Sequence, residues 1–288
     1  MNNSKKNEQM QTEQLHTELN IDHWLFIRGL GRHKIHWGEF VNEFKTQIYS
    51  NTSAQTSGKT SGKTSGEISG KNCQIHQLDL AGNGDQSFRQ SFLHMRDNVE
   101  DLRQRLPLNA DGSRIKLNLL TISLGSMVGV EWARLYPEEI SCLFTINTSD
   151  AGSSAFYQRL QPQNLIKIFN LLKTNNNQQR EKIVLDATVN LLNQDEKTHW
   201  SQIFAKHPVS KMELLRQLFC ASQYKMPKIK PQTKIHIINC ENDRLVNASC
   251  SLKISQMWNL PIHTHPKAGH DLPLDDKLWL CTKIKELL

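Results

Sequence analysis

Hydrophobic and polar positions along the chain form blocks of two kinds. Short, nearly continuous apolar runs, typical of strands in a sheet covered on both faces, alternate with longer segments of helical spacing. The first apolar run, HWLFIRG at 23–29, is followed by helical spacing in WGEFVNEFKTQI and by a second run, QIHQLDLAG, at 74–82. This order predicts a βαβ unit, in which a helix joins two parallel strands.

The alternation continues to residue 150 and then stops. After the second strand come a helix in DNVEDLRQRL, a strand in RIKLNLLTI, a helix in LGSMVGVEWARLYP and a strand in ISCLFTINTS. Residues 155–225 show only helical patterns, and strands resume with TKIHIINC at 233–240 and PIHTHP at 261–266. The pattern predicts a parallel sheet with a helical insertion, placed as a lid over a site at the carboxyl ends of the strands.

Composition sets the boundaries of the remaining segments. Residues 56–71, TSGKTSGKTSGEISGK, repeat a four-residue unit that lacks the apolar surface needed to offset the entropy of ordering. We therefore expect this part of the chain to be a flexible surface insertion. The predicted segments are a disordered tail at 1–20, a core at 21–150 and 226–288 with a flexible insertion at 50–71, and a helical lid at 151–225.

The net charge of +7 is concentrated in one third of the chain. Between residues 151 and 230 there are twelve Lys and Arg against five Asp and Glu, so the whole excess lies there. The basic residues are spread singly among Gln, Asn and Leu, without the interleaved aromatics of a single-strand nucleic-acid groove. A basic surface for an acidic partner or a thioester cofactor and a set of solvated helix faces are both compatible with this distribution.

The cysteine pattern and the lack of a long apolar segment together favour a cytoplasmic location. Six cysteines are scattered through the 288 residues, with no CxxC pair and no zinc-ribbon spacing, which favours free thiols over disulfides or structural zinc. The first twenty residues contain no apolar leader, and no apolar run approaches the ~20 residues that span a bilayer. We expect a soluble cytoplasmic protein without a membrane span.

Residues 118–132, NLLTISLGSMVGVEW, carry the main chemical signal. A strand ends at Ile122, Ser123 stands alone at the apex, and a helix begins, which is the context of a nucleophile elbow. Such a turn needs a positive φ at the serine and small neighbours, here Gly125 and Gly129, where the backbone and helix approach the sheet closely. The alternative is that Ser123 is a helix N-cap.

Partners for a serine nucleophile follow in the order Ser, Asp, His. Asp243 comes after the strand KIHIINC, and His270 comes after PIHTHP, each just past a carboxyl end. The alternatives are a turn aspartate and a surface-loop histidine. His263 and His265 could be combined with His270 as metal ligands, but strand periodicity places only the first two on one face, so we predict no metal site.

An oxyanion hole requires two backbone donors. The N–H of Leu124, directly after the serine, is one candidate. The second is the N–H of Leu30, which lies between Gly29 and Gly31 in IRGLGR. A simple glycine-rich turn explains the same residues equally well.

The segments RGLGR, DLAGNGDQS, TISLGSMVGVEWARLYPEEI, ENDRLV and AGHDLPLDD together resemble the α/β-hydrolase superfamily, in its esterase and thioesterase branch. The resemblance covers 23–288 without the TSGK repeat. It implies about six mainly parallel strands, helices on both faces and a helical lid after the fourth strand. It also implies Ser123 as nucleophile, Asp243 as acid, His270 as base, and Leu30 and Leu124 as oxyanion donors.

Two residues depart from the pattern of that superfamily. Arg28 stands where a His usually precedes the oxyanion glycine, and Thr121 replaces the first glycine of the elbow, giving T-x-S-x-G. The insertion matches no lid that we can assign.

The leading functional hypothesis is a serine hydrolase that cleaves carboxylic esters or thioesters through an acyl-enzyme, without a cofactor. Its substrate would be a small molecule or a carrier-bound acyl group, and no nucleic-acid partner is expected. An acyl-carrier-linked ester hydrolase, similar to a pimeloyl-carrier methyl esterase, is one specific alternative. A ligand-binding member of the fold without enzymatic activity is the alternative from another class. The sequence gives no indication of oligomeric state.

Overall fold

The computed structural model describes residues 21–49 and 72–288. The tail predicted at 1–20 and the insertion predicted at 50–71 lie outside the described residues. No helix within the described ranges has the length and apolar character required to cross a membrane.

Six parallel strands of the described chain form one sheet in the order β2-β1-β3-β4-β5-β6. Their bounds are β1 Ile21–Ile27, β2 Asn72–Gln77, β3 Leu117–Ile122, β4 Ile140–Ile146, β5 Lys234–Cys240 and β6 Ile262–His265. Because all strands are parallel, the loops after β1, β3, β4, β5 and β6 meet at one edge. The prediction of about six mainly parallel strands is confirmed.

Helices cover both faces of the sheet and fill the long segment after β4. Their bounds are α1 Phe40–Tyr49, α2 Met95–Arg105, α3 Leu124–Leu135, α4 Phe156–Arg159, α5 Leu165–Lys173, α6 Asn177–Thr188, α7 Gln194–Phe204, α8 Lys211–Gln223, α9 Ser249–Trp258, α10 Leu272–Asp275 and α11 Lys277–Leu287. Helices α4–α8 form the helical insertion (151–225), which enters after the fourth strand.

One strand and one helix end earlier in the structure than their sequence patterns predict. The strand predicted through 82 stops at Gln77, and the Asp79 carboxylate beyond it accepts the N–H groups of Lys34 and Asp85. The helical pattern of EKIVLDATVNLLN (181–193) predicts a helix through residue 193, but the helix stops at Thr188. Beyond it, the N–H groups of Asn190 and Leu191 donate to Asp275 instead of continuing the helix. In the second case the distant Asp275 carboxylate satisfies backbone groups that a longer helix would have used.

The strand period of two divides the core into two layers. Leu25 and Ile27 of β1 face the layer that contains α2, α3 and α9. Trp24 and Phe26 alternate with them and face the layer that contains α1 and α11. These four side chains are at most 1% exposed, so β1 is covered on both sides as its apolar run predicts.

Helix α3 approaches the end of β1 at Gly125. A Cβ atom at this position would lie 2.6 Å from the carbonyl oxygens of both Ile27 and Arg28. Backbone atoms of a central strand do not move aside easily, so the turn that starts α3 requires glycine here. At Gly129, one turn along, the nearest atom to such a Cβ is instead the end of the Leu143 side chain, at 2.8 Å.

The substitutions Gly125→Ala and Gly129→Ala are a matched pair on one helix. We expect Gly125→Ala to lower the free energy of unfolding by about 1–3 kcal/mol, because the new methyl group overpacks against backbone. Gly129→Ala should lose less, because a side chain can rearrange and alanine favours the helix by up to ~1 kcal/mol. Urea denaturation of both variants measures the difference. Equal losses would contradict the close approach at Gly125.

Candidate active site

Ser123 lies at the sharp turn between β3 and α3. Its backbone has φ 54° and ψ −117°, a conformation that costs a non-glycine residue about 1–3 kcal/mol. The Ser123 N–H donates to the carbonyl of Ile146 at 2.8 Å, which holds the turn against β4. Ser123 occupies the N-cap position of α3, but its side chain makes no capping hydrogen bond to the helix. The hydroxyl is left for other partners.

The elbow accommodates Thr121 in place of the usual glycine. Thr121 is fully buried, and its hydroxyl donates to the carbonyl of Phe144 at 2.7 Å. Its methyl group would lie 3.1 Å from a Cβ at Gly129, so the absence of a side chain at Gly129 leaves space for the threonine. Thr121 therefore fits the core although it departs from the superfamily pattern, because its hydroxyl has a hydrogen-bond partner and its methyl group lies close to Gly129 of α3.

His270 and Asp243 are brought together from the loops after β6 and β5. Nδ1 of His270 lies 2.6 Å from Oδ2 of Asp243, and both residues are less than 10% exposed. The other oxygen of Asp243 accepts the N–H groups of Leu245 and Val246, so the carboxylate is fixed as an acceptor. A carboxylate that only accepts requires the ring proton on Nδ1, which leaves Nε2 of His270 with a free lone pair.

Asn147, which sequence reasoning missed, fixes these two loops relative to each other. It follows β4 with φ 49° and is 2% exposed. Its side-chain N–H₂ donates to the carbonyl of His270 at 2.9 Å, and its Oδ1 accepts the N–H of Cys240 at 2.8 Å. The available signal was an asparagine directly after a strand's carboxyl end, a residue type that tolerates positive φ.

The two candidate oxyanion donors lie beside Ser123. A Cβ at Gly29 would be 3.1 Å from the Ser123 Cβ, which shows how closely the turn after β1 approaches the serine. The N–H groups of Leu30 and Leu124 have no hydrogen-bond partner among residues 21–49 and 72–288. Both residues line the same cavity as Ser123 and His270. Two donors without a partner in the described ranges therefore border the same cavity as Ser123.

Arg28, the second departure from the pattern, forms a buried ion pair with Asp271. Its guanidinium binds the carboxylate through two hydrogen bonds, of 3.0 and 2.5 Å, and both side chains are at most 4% exposed. Burial acts to raise the pKa of Asp271, but Arg28 outweighs it and holds that pKa below its usual range. The pair joins the residue before Gly29 to the residue after His270. It therefore connects the turn at 29–32 that contains the candidate donor Leu30 (the oxyanion turn) to the loop at 266–271 that contains His270 (the histidine loop).

The other histidines of the last strand have structural contacts. Nδ1 of His265 accepts the N–H groups of Lys267 and Ala268, which shapes the loop before His270. His263 lies beside His236 at the far end of the strand, with ring centroids 6.2 Å apart. Within the described ranges, no group of three or more potential ligands gathers into a metal site.

A cavity of about 230 Å³ connects these residues with the helical insertion. Ser123, His270, Leu30 and Leu124 lie on the sheet side. The opposite wall is mostly apolar and includes Leu160, Ile168, Leu171, Val184, Leu214 and Leu218. For scale, an engineered cavity of about 150 Å³ admits benzene, so this cavity has room for a larger organic group.

Three cations of the insertion also reach this cavity. Arg159, Lys167 and Arg180 line it, and each binds backbone carbonyls, with no carboxylate within 4 Å in the described part of the chain. Burial, together with the neighbouring Arg244, lowers the pKa of Lys167. Within the described ranges these three cations therefore form no close ion pair, although Asp150 and Asp186 act on Arg159 and Lys167 over longer distances.

We expect Arg28→Met to destabilise the fold by about 3–5 kcal/mol at neutral pH, because Asp271 is left charged and buried without a partner. The lowered pKa of Asp271 stabilises the wild type above the carboxyl's unfolded pKa of about 3.9, and this contribution is lost as pH falls through the folded value. In the variant, burial would raise that pKa instead. The difference between variant and wild type should therefore shrink from about pH 7 to about pH 5 in urea denaturation.

The double variant Arg28→Met/Asp271→Leu is the control for this prediction. It removes both charges and should recover most of the lost stability, since no buried ion remains. A single variant as stable as the wild type, or a deficit that grows towards acid, would contradict the assignment of the pair.

Comparison with known proteins identifies the fold. No protein-family model matches the chain, and no curated protein sequence matches it. The solved structure of a lipase-esterase related protein from Clostridium acetobutylicum is similar, with a TM-score of 0.62 and 14% identity over 93% of this chain and 94% of the other. The meta-cleavage product hydrolase from Pseudomonas fluorescens IP01 has a TM-score of 0.63 and 12% identity over 92% and 90%.

A serine hydrolase involved in carbazole degradation, the CarC enzyme, is similar as well. Its TM-score is 0.59 at 11% identity, and the match covers 92% of this chain and 90% of that one. All three neighbours are α/β-hydrolases, and their order of strands and helices extends over nearly the whole chain. The parallel sheet and these likenesses show that the chain has the α/β-hydrolase fold.

Proposed function

We propose that this protein is a serine hydrolase that cleaves carboxylic esters or thioesters through an acyl-enzyme. One observation carries the proposal: Ser123, in a strained turn, lines the same cavity as His270, whose Nδ1 is bound to the buried Asp243. A nucleophile, a base and a group that orients the base are the parts that serine acyl transfer needs. The similar hydrolase structures support a hydrolase at this coarse level.

The proposed mechanism assigns one role to each residue. Nε2 of His270 takes the proton of the Ser123 hydroxyl as the oxygen attacks the acyl carbonyl. Asp243 keeps the ring in the required tautomer and stabilises the imidazolium that forms. The N–H groups of Leu30 and Leu124 bind the negative oxygen of the tetrahedral intermediate. His270 then protonates the leaving group, and a water molecule activated by the same ring releases the acid and restores Ser123.

The geometry also favours the enzyme over a ligand-binding protein without activity. A binding site needs no strained serine and no histidine fixed in one tautomer. Local strain of about 1–3 kcal/mol persists where the surrounding structure enforces it, and such sites are commonly functional. A protein that only binds a ligand would need the apolar cavity but neither the strained serine nor the oriented histidine.

Thioesters of an acidic carrier or of coenzyme A are a second substrate candidate, including the carrier-linked ester considered from the sequence. The observation in its favour is the cationic wall of Arg159, Lys167 and Arg180. A phosphate or carboxylate of such a carrier could pair with these cations, which have no close anionic partner among the described residues. The mostly apolar cavity beside them would hold the acyl chain.

Ser123→Ala should lower kcat for a p-nitrophenyl ester by about 10⁴-fold or more, because the nucleophile is removed. The same variant should lose labelling by a fluorophosphonate probe. Ser149→Ala is the matched control, since Ser149 lines the same cavity, and it should keep both activities. Wild-type protein that is folded but neither turns over esters nor reacts with the probe would favour a binding protein. Labelling that persists in Ser123→Ala would place the nucleophile elsewhere.

Lys167→Gln should lower kcat/KM for an acyl-CoA several-fold, with little effect on a neutral p-nitrophenyl ester of the same acyl chain. Raising the salt concentration from about 0.05 to about 0.5 M should have the same selective effect on the wild type, because it screens partly exposed charges. Lys173→Gln is the control, since Lys173 is exposed on the same helix and does not line the cavity. Equal effects on both substrates would exclude the carrier candidate and leave the ester hydrolase intact.

A further inference from the structure

The turn after β1 is held by a residue of the helical insertion. The N–H of Gly31, directly after Leu30, donates to Oε1 of Gln217 at 2.8 Å. Gln217 belongs to α8 and is 3% exposed. This hydrogen bond joins residues 186 positions apart in the chain and crosses from the insertion to the sheet edge.

The orientation of the Gln217 amide is fixed by its other contacts. Its N–H₂ group donates to Oδ1 of Asn83 at 2.7 Å and to Oγ of Ser91 at 3.0 Å. The Ser91 hydroxyl in turn donates to the carbonyl of Ala81. A flipped amide would place nitrogen against the Gly31 N–H and oxygen against the Asn83 oxygen, so only one orientation satisfies these groups. Oε1 is therefore held towards Gly31.

Asn83 closes the network on the same turn. Its Nδ2 donates to the carbonyl of Arg32 at 2.9 Å, and Asn83 itself is fully buried. The Arg32 N–H donates to the carbonyl of Gly29 at 3.2 Å, which closes the turn around Leu30. The peptide groups on both sides of Leu30 are thus fixed, while the N–H of Leu30 stays free.

Helix α8 also packs directly on this turn. Gly31 has φ 62°, and a Cβ atom there would overlap Cδ2 of Leu214, one turn before Gln217. The positive φ favours glycine at this position, and the missing side chain leaves room for the tip of Leu214. Leu214 and Leu30 both line the cavity, so the contact lies at its edge.

We propose that Gln217 is a positioning residue for the oxyanion hole and that the helical insertion completes the site through it. This inference rests on the proposed function, because it assigns a role to the Leu30 N–H in the tetrahedral intermediate. Gln217 does not touch the substrate in this scheme. It holds the peptide after Leu30, and hence aims the Leu30 N–H at the oxygen that becomes negative. An insertion that moves away from the sheet takes Gln217 with it and removes the acceptor of the Gly31 N–H, while the hydrogen bond from Arg32 to Gly29 remains.

The test compares variants with a short p-nitrophenyl ester. Gln217→Leu should lower kcat by about 10- to 10²-fold, less than the 10²–10³-fold typical of losing a donor outright, because the donor is displaced and not deleted. KM should change little, since the oxygen gains its charge only in the transition state. A boronic acid inhibitor, which forms a tetrahedral adduct on a serine, should bind Gln217→Leu more weakly by a similar factor.

Gln217→Glu tests the same contact in a side chain of nearly equal size. One carboxylate oxygen can still accept the Gly31 N–H, while donation to Asn83 is lost, so its kcat should fall between those of the wild type and Gln217→Leu. This variant also gives the answer if Gln217→Leu does not fold. A kcat equal to that of the wild type in both variants would overturn the proposal.

Arg216→Ala is the matched control on the neighbouring position of α8. Arg216 donates to the backbone carbonyl of Ser91, whereas Gln217 contacts the Ser91 hydroxyl. Removing the Arg216 side chain therefore removes a link between the helix and the core without removing a contact of Gln217. The loss of Arg216 should lower stability and leave kcat and boronate affinity close to the wild-type values. If Arg216→Ala loses as much kcat as Gln217→Leu, then Gln217 only anchors the insertion.

The proposed function is checked separately. Its failure would show as wild-type protein without Ser123-dependent turnover. The positioning role fails when the wild type is active and either the Gln217 variants are unchanged or Arg216→Ala loses as much kcat as Gln217→Leu.

Discussion

The tight turn between β3 and α3 is the constraint on which the rest of the site depends. Ser123 adopts a positive φ only because its N–H is bound by β4 and because α3 starts within contact distance of the β1 carbonyls. That approach is possible because Gly125 has no side chain. The same closeness brings the turn around Leu30 beside the serine, so one local geometry places both the candidate nucleophile and the candidate donors.

Polar contacts in the interior then fix the loops around this turn. The Arg28–Asp271 pair connects the oxyanion turn to the histidine loop, and Asn147 connects the histidine loop to the end of β5. The insertion contributes as well: the Asp271 N–H donates to the carbonyl of Thr188, at the end of α6, and Gln217 binds Gly31. Buried polar groups are costly unless they are paired, so each of these contacts selects one arrangement of the loops.

Much of this architecture was predictable from local patterns. Apolar runs and helical spacing indicated the alternating elements, and the strand ends indicated where the candidates Ser123, Asp243 and His270 lie. In the structure His270 binds Asp243 and lines the same cavity as Ser123. The boundaries failed where distant groups intervene, as at Asp275, whose carboxylate takes the backbone N–H groups after Thr188. Arg28 was recognised as unusual, but its partner was not, because 243 residues separate the two charges.

The sequence by itself determined the order of the strands and helices, the elbow with its small residues, and the positions of the candidate acid and base. These follow from periodicity and from residue types that act within a few positions of each other. The tertiary structure alone decided that Arg28 pairs with Asp271, that Asn147 supports the histidine loop and that Gln217 reaches Gly31. Such contacts depend on the folded distances between groups far apart in the chain, which no local pattern encodes.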